Sequence, residues 1–172
     1  SLGVMNHTVD SYRYVSFATR RVLKAWAARS SYREIPWTPP ARPLSEATVA
    51  LVSTAGLALE ADRPFDQEGE RRNPWWGDPS YRVIPRDAAS GDVRCYHLHI
   101  DPSFVEEDLN CAFPLSRLLE LEERGEIGRA ADRHYSFMGY ILEPRTLLRE
   151  STPEMIRLMK KDAVDAVLLV PF

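Results

Sequence analysis

The hydrophobic pattern of the chain alternates between strand-like runs and helix-like stripes. Four runs combine apolar, β-branched and aromatic residues over strand lengths, and they cover Thr48–Ser53, Val93–Ile100, His134–Ile141 and Val164–Phe172. The first is apolar on both faces, as expected of a strand buried in a parallel sheet. The last is almost continuously apolar, which makes it the most secure strand of the four.

Helical spacing of apolar residues predicts three helices, over Asp10–Arg29, Pro114–Gly125 and Ser151–Lys161. Pro114 suits a first helical position and Gly125 a helix stop. Ser151 and Glu154 have the spacing of a capping box. The aromatic residues of the first helix surround much of its girth, which predicts self-association into a homo-oligomer; they are Tyr12, Tyr14, Phe17 and Trp26.

Strands that alternate with helices predict an α/β fold with a mostly parallel sheet and flanking helices, a flavodoxin-like three-layer sandwich in general layout. The proline-rich segment "EIPWTPPARPLS" is a stiff connector. We therefore expect an N-terminal helical extension over residues 1–36 and an α/β domain over 37–172. The long polar stretch Glu60–Asp92 is interpreted as a loop that is either functional or disordered.

Charge and composition exclude several classes of partner. The 172 residues carry a formal charge of -3, with a pI near 5.8, so no electrostatic signature for nucleic acid or for an anionic membrane is present. No apolar run is long enough for a signal peptide or a membrane span. Two cysteines are too few for a secreted disulfide framework. We expect a reduced, cytoplasmic protein.

The string "RCYHLHID" places four polar side chains on one face if it is an extended strand: Cys95, His97, His99 and Asp101. Three interpretations stay open, namely a metal site, polar catalytic or substrate contacts, and structural histidines. Same-face neighbours on a strand are about 7 Å apart, so only two of the four can share one ion. The metal alternative therefore needs a further ligand, and His134 and Asp108 are the obvious donors.

Ligands of parallel sheets bind beyond the carboxyl ends of the strands. Here those ends are residues 53–56, 99–101, 138–139 and 171–172. The short "STAG" string offers hydroxyls and backbone N–H groups to a carboxylate or phosphate. No dinucleotide, P-loop, nucleophile-elbow or zincin motif is present. Neither cysteine has the surroundings of an activated nucleophile, because Cys95 lies within a strand and Cys111 follows "EEDLN".

Several strings, taken in order, resemble the glycine/sarcosine/betaine reductase selenoprotein B family, and particularly its D-proline reductase selenoprotein subunit branch. They are "TPPARPLSEATVALVSTAGL", "DPSYRVIP", "HLHID" followed by "EDLNCAFPLSRLLELEERGEIG", "RHYSFMGYI" and "VDAVLLVP". The resemblance covers Trp37–Phe172. It implies an oxidoreductase subunit that cleaves a carbon–nitrogen bond of a small amino acid or amine, with a dithiol as donor.

The resemblance also implies how the chemistry is divided. A selenocysteine or cysteine is expected just after Phe172, and a pyruvoyl group belongs to a partner reductase subunit; no bound cofactor is expected on this chain. The resemblance matches His99 and Asp101 to the family's histidine-containing strand, and we predict that both are catalytic, with His99 as proton donor or selenolate partner because it lies nearest the carboxyl end of its strand. It implies substrate contacts from Ser53, Thr54, Gly56, His97, Ser136, Met138 and Gly139.

The sequence ends at Phe172, before the expected redox residue, and three hypotheses account for that: a UGA codon read as stop, a chain cut at that point, or a short homologue without the chemistry. Two rival functions also remain. One is a non-catalytic domain that binds a small carboxylate or a partner. The other is a metal-dependent enzyme built on His97, His99 and Asp101, or on His97, His99 and His134.

Overall fold

The computed structural model describes residues 16–29, 38–73 and 76–172. The chain divides into two units, Ser1–Pro39 and Pro40–Phe172. The described part of the first unit is helix α1, Phe17–Arg29. The start predicted at Asp10 lies outside the described residues, as do Tyr12 and Tyr14 and the side chain of Trp26. Phe17 is exposed.

The second unit contains seven strands and four further α-helices among the described residues. The strands are β1 Thr48–Ser53, β2 Leu57–Leu59, β3 Tyr81–Pro85, β4 Val93–Cys95, β5 Arg129–Ala130, β6 Arg133–Phe137 and β7 Ala166–Val170. The helices are α2 Gln67–Arg72, α3 Ser103–Glu107, α4 Leu115–Glu123 and α5 Thr152–Lys161.

Strand β1 is the centre of a five-stranded sheet. It pairs in parallel with β7 on one side and with β5 and β6 on the other, and β3 pairs antiparallel with β6. Five of its six residues are buried, because helices and loops cover both faces. The α/β class with a mostly parallel sheet is confirmed; the flavodoxin-like layout stays a prediction.

The hydrophobic core lies mainly between β1 and helix α4. Leu51, Phe113 and Leu118 belong to this cluster and are almost inaccessible to solvent. Helix α5 is associated with a smaller cluster, formed by Val52, Tyr135 and Met155. Burying large apolar side chains at both faces of β1 stabilises the sheet by roughly 1.5–3 kcal/mol per side chain.

The strand predicted over Val93–Ile100 is wrong in length and in sheet. Strand β4 ends at Cys95 and pairs antiparallel with β2 in a separate two-stranded sheet. The N–H of Tyr96 donates to the carbonyl of Gly56, and the chain then turns at residues 98–99. His97, His99 and Asp101 therefore do not form a row on one strand.

Two further local predictions need correction. The stretch Glu60–Asp92 is no structureless loop, since it contains α2 and β3. The capping box at Ser151 does not form: its hydroxyl donates to the carbonyl of Pro79 at 2.6 Å, and a π-helical turn precedes α5. Nowhere in residues 16–29, 38–73 and 76–172 is a helix long and apolar enough to cross a membrane.

Candidate functional site

The carboxyl ends of β1 and β7 are joined through the side chain of Thr54. Its hydroxyl accepts the N–H of Phe172 at 2.7 Å and donates to the carbonyl of the same residue at 3.2 Å. The N–H of Thr54 donates to the carbonyl of Val170. The hydroxyl thus holds the backbone of Phe172 from two sides at the strand edge where ligands of such sheets bind.

Gly139, just beyond β6, lies where three groups converge. A Cβ atom placed on it would be 2.9 Å from the carbonyl oxygen of Thr54 and 3.1 Å from both the Phe172 carbonyl oxygen and the His97 Nε2. Contacts this short leave no room for a side chain. The absence of a Cβ therefore lets His97 approach the ends of β1 and β7.

Gly56 and Met138 pack against each other next to the strand ends. Gly56 has a φ of 61°, which glycine adopts without strain, and a Cβ there would be 2.4 Å from the sulfur of Met138. Its N–H donates to the carbonyl of Phe137. Met138 is 1% exposed. The two residues fix the loop after β1 against the end of β6.

The hydroxyls of Ser53 and Ser136 are fully buried and bonded to the backbone. Ser53 donates to the carbonyl of Ala112 at 2.8 Å. Ser136 donates to the carbonyl of Ser53 at 3.1 Å and accepts the N–H of Leu57 at 2.9 Å. Both side chains connect loops and strands below the site, and neither presents free surface to a ligand.

His97 and His99 lie in the turn after β4, with ring centroids 5.8 Å apart. The Nδ1 of His97 accepts the backbone N–H of His99 at 3.2 Å. In the neutral ring the hydrogen is therefore on Nε2, the atom next to Gly139. Burial, and then the neighbouring His99, lower the pKa of His97, so its ring is a neutral hydrogen-bond donor at the strand ends.

His99 is held by a buried carboxylate, Glu70, which no sequence motif singles out. Its Nε2 lies 2.9 Å from Oε1 of Glu70, on helix α2, and its ring packs against Tyr140 with centroids 4.3 Å apart. Glu70 is only 3% exposed. Burial raises the pKa of Glu70, although the hydrogen bond and the charge of His99 act in the opposite direction.

Helix α2, which carries Glu70, is held at its start by polar side chains of neighbouring residues. The carboxylate of Asp78 accepts the N–H groups of Asp66 and Ser80. Burial alone would raise the pKa of Asp78, but these hydrogen bonds and the Ser80 hydroxyl hold it below its usual value. Arg82 donates to two carbonyls of the residues just before α2 and lies over the ring of Phe65. These contacts hold the start of α2 in place, and with it Glu70.

Two of the predicted site residues lie elsewhere. Asp101 is exposed, and its carboxylate accepts the N–H of Ser103 at the start of α3. His134 is fully buried within β6, and its Nδ1 accepts the N–H of Leu51 at 2.9 Å. Among the residues that the structure describes, no three His, Cys, Asp or Glu side chains are grouped to hold a metal ion. The geometry thus gives the metal alternative no support.

Both thiols are poorly suited to act as nucleophiles. Burial raises the pKa of Cys95, whose Sγ donates to the carbonyl of Ala55. Desolvation and the nearby Asp108 raise the pKa of Cys111. A raised pKa leaves little thiolate at neutral pH. These two residues therefore do not supply the nucleophile of the site.

The family model described as glycine/sarcosine/betaine reductase selenoprotein B matches residues 27–171. The chain belongs to this family. The short strings that resemble the family lie on β1, β3, the turn after β4, α4, β6 and β7.

Curated members of the selenoprotein B family show graded similarity to the chain. It is 38% identical to the D-proline reductase subunit gamma of Acetoanaerobium sticklandii over 133 residues, or 77% of the chain and 52% of that protein. It is 30% identical to the betaine reductase complex component B subunit beta of Peptoclostridium acidaminophilum over 131 residues, or 76% and 29%.

A third relative is the glycine reductase complex component B subunit gamma of Symbiobacterium thermophilum, with 27% identity over 143 residues, or 81% of the chain and 32% of that protein. The chain thus spans about half the length of the D-proline reductase subunit and about a third of the other two. No solved structure gives a significant match.

Proposed function

We propose that this chain is part of a reductase that cleaves a carbon–nitrogen bond of a small amino acid or amine, with a dithiol as electron donor. One observation carries the proposal: at the carboxyl edge of the sheet the Thr54 hydroxyl binds Phe172, and Gly139 leaves room beside it for both the Phe172 carbonyl and the His97 ring. The relatives named for D-proline, betaine and glycine reductases support the same reaction class.

In this proposal the nucleophile is a selenocysteine or cysteine that follows Phe172. A selenolate is ionised at neutral pH, and such a soft anion attacks a carbon whose nitrogen has become a better leaving group. Thr54 orients the backbone of Phe172 and, through it, the next residue. The Nε2–H of His97 lies beside Gly139, near these strand ends, and supplies a hydrogen bond to an anion formed there.

The other predicted substrate residues take supporting roles. Gly56, Met138, Ser53 and Ser136 shape and rigidify the strand ends, while Gly139 leaves the space that His97 occupies. A partner subunit supplies the pyruvoyl carbonyl that activates the amine. The substrate therefore binds between the edge of this sheet and the partner.

The test begins with the codon that follows Phe172 in the gene. UGA or a cysteine codon supports the proposal, and UAA or UAG contradicts the selenocysteine assignment. The longer product, assembled with its partner subunits, is then assayed with dithiothreitol and with D-proline, glycine betaine or glycine. Dithiol consumption with formation of the reduced product is expected, and a serine at the redox position is expected to abolish it.

A second function, binding of a partner subunit without chemistry, is favoured by strand β7. Val167, Leu168 and Leu169 of this strand are 40%, 46% and 69% exposed. Three consecutive apolar residues at a sheet edge are typical of a surface that another chain covers. If the longer product binds its partner but consumes no dithiol with any of the three amines, this second function replaces the first.

A further inference from the structure

Glu70 is an unusual residue for the short, polar helix α2. Its neighbour Glu68 is exposed and forms a surface ion pair with Arg71 at 3.0 Å. Glu70 is 97% buried by contrast, and a buried carboxylate loses the hydration that stabilises its charge. Stability alone does not explain a carboxylate at this place, because a neutral side chain of similar size would avoid the desolvation cost.

Only one oxygen of Glu70 has a hydrogen-bond partner among the described residues. Oε1 meets His99 Nε2 at 2.9 Å, whereas Oε2 is buried without a partner. The charged neighbours of this carboxylate are His99 and Arg71, which lower its pKa, and Asp78, which raises it. His99 is the larger of the two favourable influences. The imidazole of His99 is therefore the main favourable partner of this carboxylate.

Two contacts hold the ring of His99, and a third holds its backbone. Nε2 bonds to Glu70, the ring face packs against Tyr140, and the backbone N–H is bound by His97 Nδ1. An ionised carboxylate only accepts hydrogen bonds, so the nitrogen that meets ionised Glu70 carries a hydrogen. In the neutral, half-exposed ring the other nitrogen, Nδ1, then has none.

We propose that Glu70 is a positioning residue that keeps the hydrogen of His99 on Nε2, so that Nδ1 delivers a proton to the amine leaving in the reductive cleavage. This inference rests on the proposed function. When the nucleophile bonds to carbon, the C–N bond breaks with its electron pair on nitrogen, and one proton passes from Nδ1 of the protonated ring to that nitrogen.

The reaction balances with a dithiol as the reductant. The dithiol is oxidised to a disulfide and supplies two electrons and two protons. One proton and both electrons break the bond between nucleophile and carbon, which gives a C–H bond and the free anion. The second proton replaces the one that His99 delivered.

The first experiment measures the imidazole tautomer in the chain as it exists. Two-bond ¹H–¹⁵N spectra of the histidine rings, with His99 assigned through His99→Gln, are expected to show hydrogen on Nε2. Glu70→Leu should mix the two tautomers, whereas Glu70→Gln, which keeps an acceptor oxygen, should restore the original one. Glu68→Gln on the same helix is the matched control and should change nothing.

The second experiment measures turnover in the assembled reductase with dithiothreitol and D-proline or glycine betaine. Glu70→Leu should lower kcat by about 100-fold and change KM by less than about threefold, since proton transfer and not binding is impaired. Glu70→Gln should recover part of this loss. The thermal midpoint of each variant is measured beside that of the unsubstituted reductase, and turnover is compared at a temperature where all of them are folded.

The outcomes separate this inference from the proposed function. An unchanged tautomer in Glu70→Leu overturns the positioning role, whatever the activity. An altered tautomer with full turnover confines Glu70 to ring orientation and overturns its role in proton delivery. If the unsubstituted reductase shows no turnover while the tautomer responds as expected, the proposed function fails and the positioning of His99 by Glu70 stands.

Discussion

Leu51 and Leu168 are two leucines in paired positions of neighbouring parallel strands, yet the solvent exposure of their side chains differs. Leu51 of β1 is 0% exposed, and Leu168 of β7 is 46% exposed. Both strands come from apolar runs that suit the interior of a parallel sheet. The difference arises because β1 has strands on both sides and β7 has a paired strand on one side only within the described residues.

This comparison teaches that an apolar run predicts a strand but not the place of that strand in its sheet. Burial depends on what lies alongside, which the run itself does not encode. The exposed apolar side chains of β7 therefore reflect its position at the edge of the described sheet. Substitutions at the centre and at the edge should accordingly differ in their effects.

The largest effect is expected from Leu51→Ala. Truncation at a fully buried position of β1 removes apolar contacts and leaves a cavity, which lowers the free energy of unfolding by about 2–5 kcal/mol. Urea denaturation followed by circular dichroism measures this change. A loss below about 1 kcal/mol would show that the centre of the sheet is less tightly packed than the structure indicates.

The centre of the sheet should also respond to acid through His134, which binds the N–H of Leu51. Burial, more than the nearby Arg86, lowers the pKa of His134 from 6.5 to about 4. Above pH 6.5 the ring is neutral in both states, so its contribution to stability is constant. Between pH 6.5 and 4 only the unfolded state gains a proton, and up to about 3 kcal/mol of stability is lost.

Stability measured against pH in the unsubstituted chain and in His134→Asn checks this expectation. Asparagine retains an acceptor for the Leu51 N–H but does not titrate. The difference between the two curves should appear as the pH falls below 6.5. Parallel curves between pH 6.5 and 5 would contradict the assignment, even though the buried His97 contributes to both.

Thr54→Val tests the hydrogen bonds that join the end of the central strand β1 to the end of the edge strand β7. Valine keeps the shape of the side chain but removes the hydroxyl that binds Phe172, at a cost of about 1 kcal/mol. Amide hydrogen exchange at Phe172 should quicken, while exchange in the middle of β1 stays slow. Thr54→Ser keeps the hydroxyl and is the control. Equal protection of Phe172 in all three proteins would mean that this bond does not hold β7.

The smallest effect is expected from Leu168→Ala. Because nearly half of this side chain is exposed, its truncation should cost less than about 1 kcal/mol, against the larger loss at Leu51. The same denaturation experiment compares the two variants directly. Comparable losses at both positions would show that β7 is already covered in solution, and light scattering would then show whether the cover is a second copy.

The elements that rely on local pattern were predicted from the sequence with good bounds. Strands β1 and β7 and helices α4 and α5 fall within their predicted segments, because long apolar runs and helical stripes dominate there. Strand β6, Arg133–Phe137, begins one residue before the predicted segment His134–Ile141 and ends four residues before its end. Strand β3, "YRVIP", was missed since it lies in a polar stretch and pairs antiparallel at the edge of the sheet. Its stabilising partner, β6, is far away in sequence.

The candidate site was predicted only in part, and the reason is again long-range contact. The meeting of Thr54, Gly139 and Phe172 follows from the rule that parallel strands share one carboxyl edge. The alternation of polar residues in "HLHID" favoured a strand, whereas the bond from Tyr96 to Gly56 turns the chain there. Glu70 carries no local signal, since nothing in "QEGERR" distinguishes the buried glutamate from the exposed one.

The bond between Thr54 and Phe172 closes a loop whose ends are 118 positions apart in the sequence. Closing so long a loop costs entropy, which must be offset by the pairing of β7 along β1. A chain in which β7 has not yet docked has no assembled site, whatever the state of its core. The reactive residue proposed to follow Phe172 is thus positioned beside Thr54 only after β7 has docked.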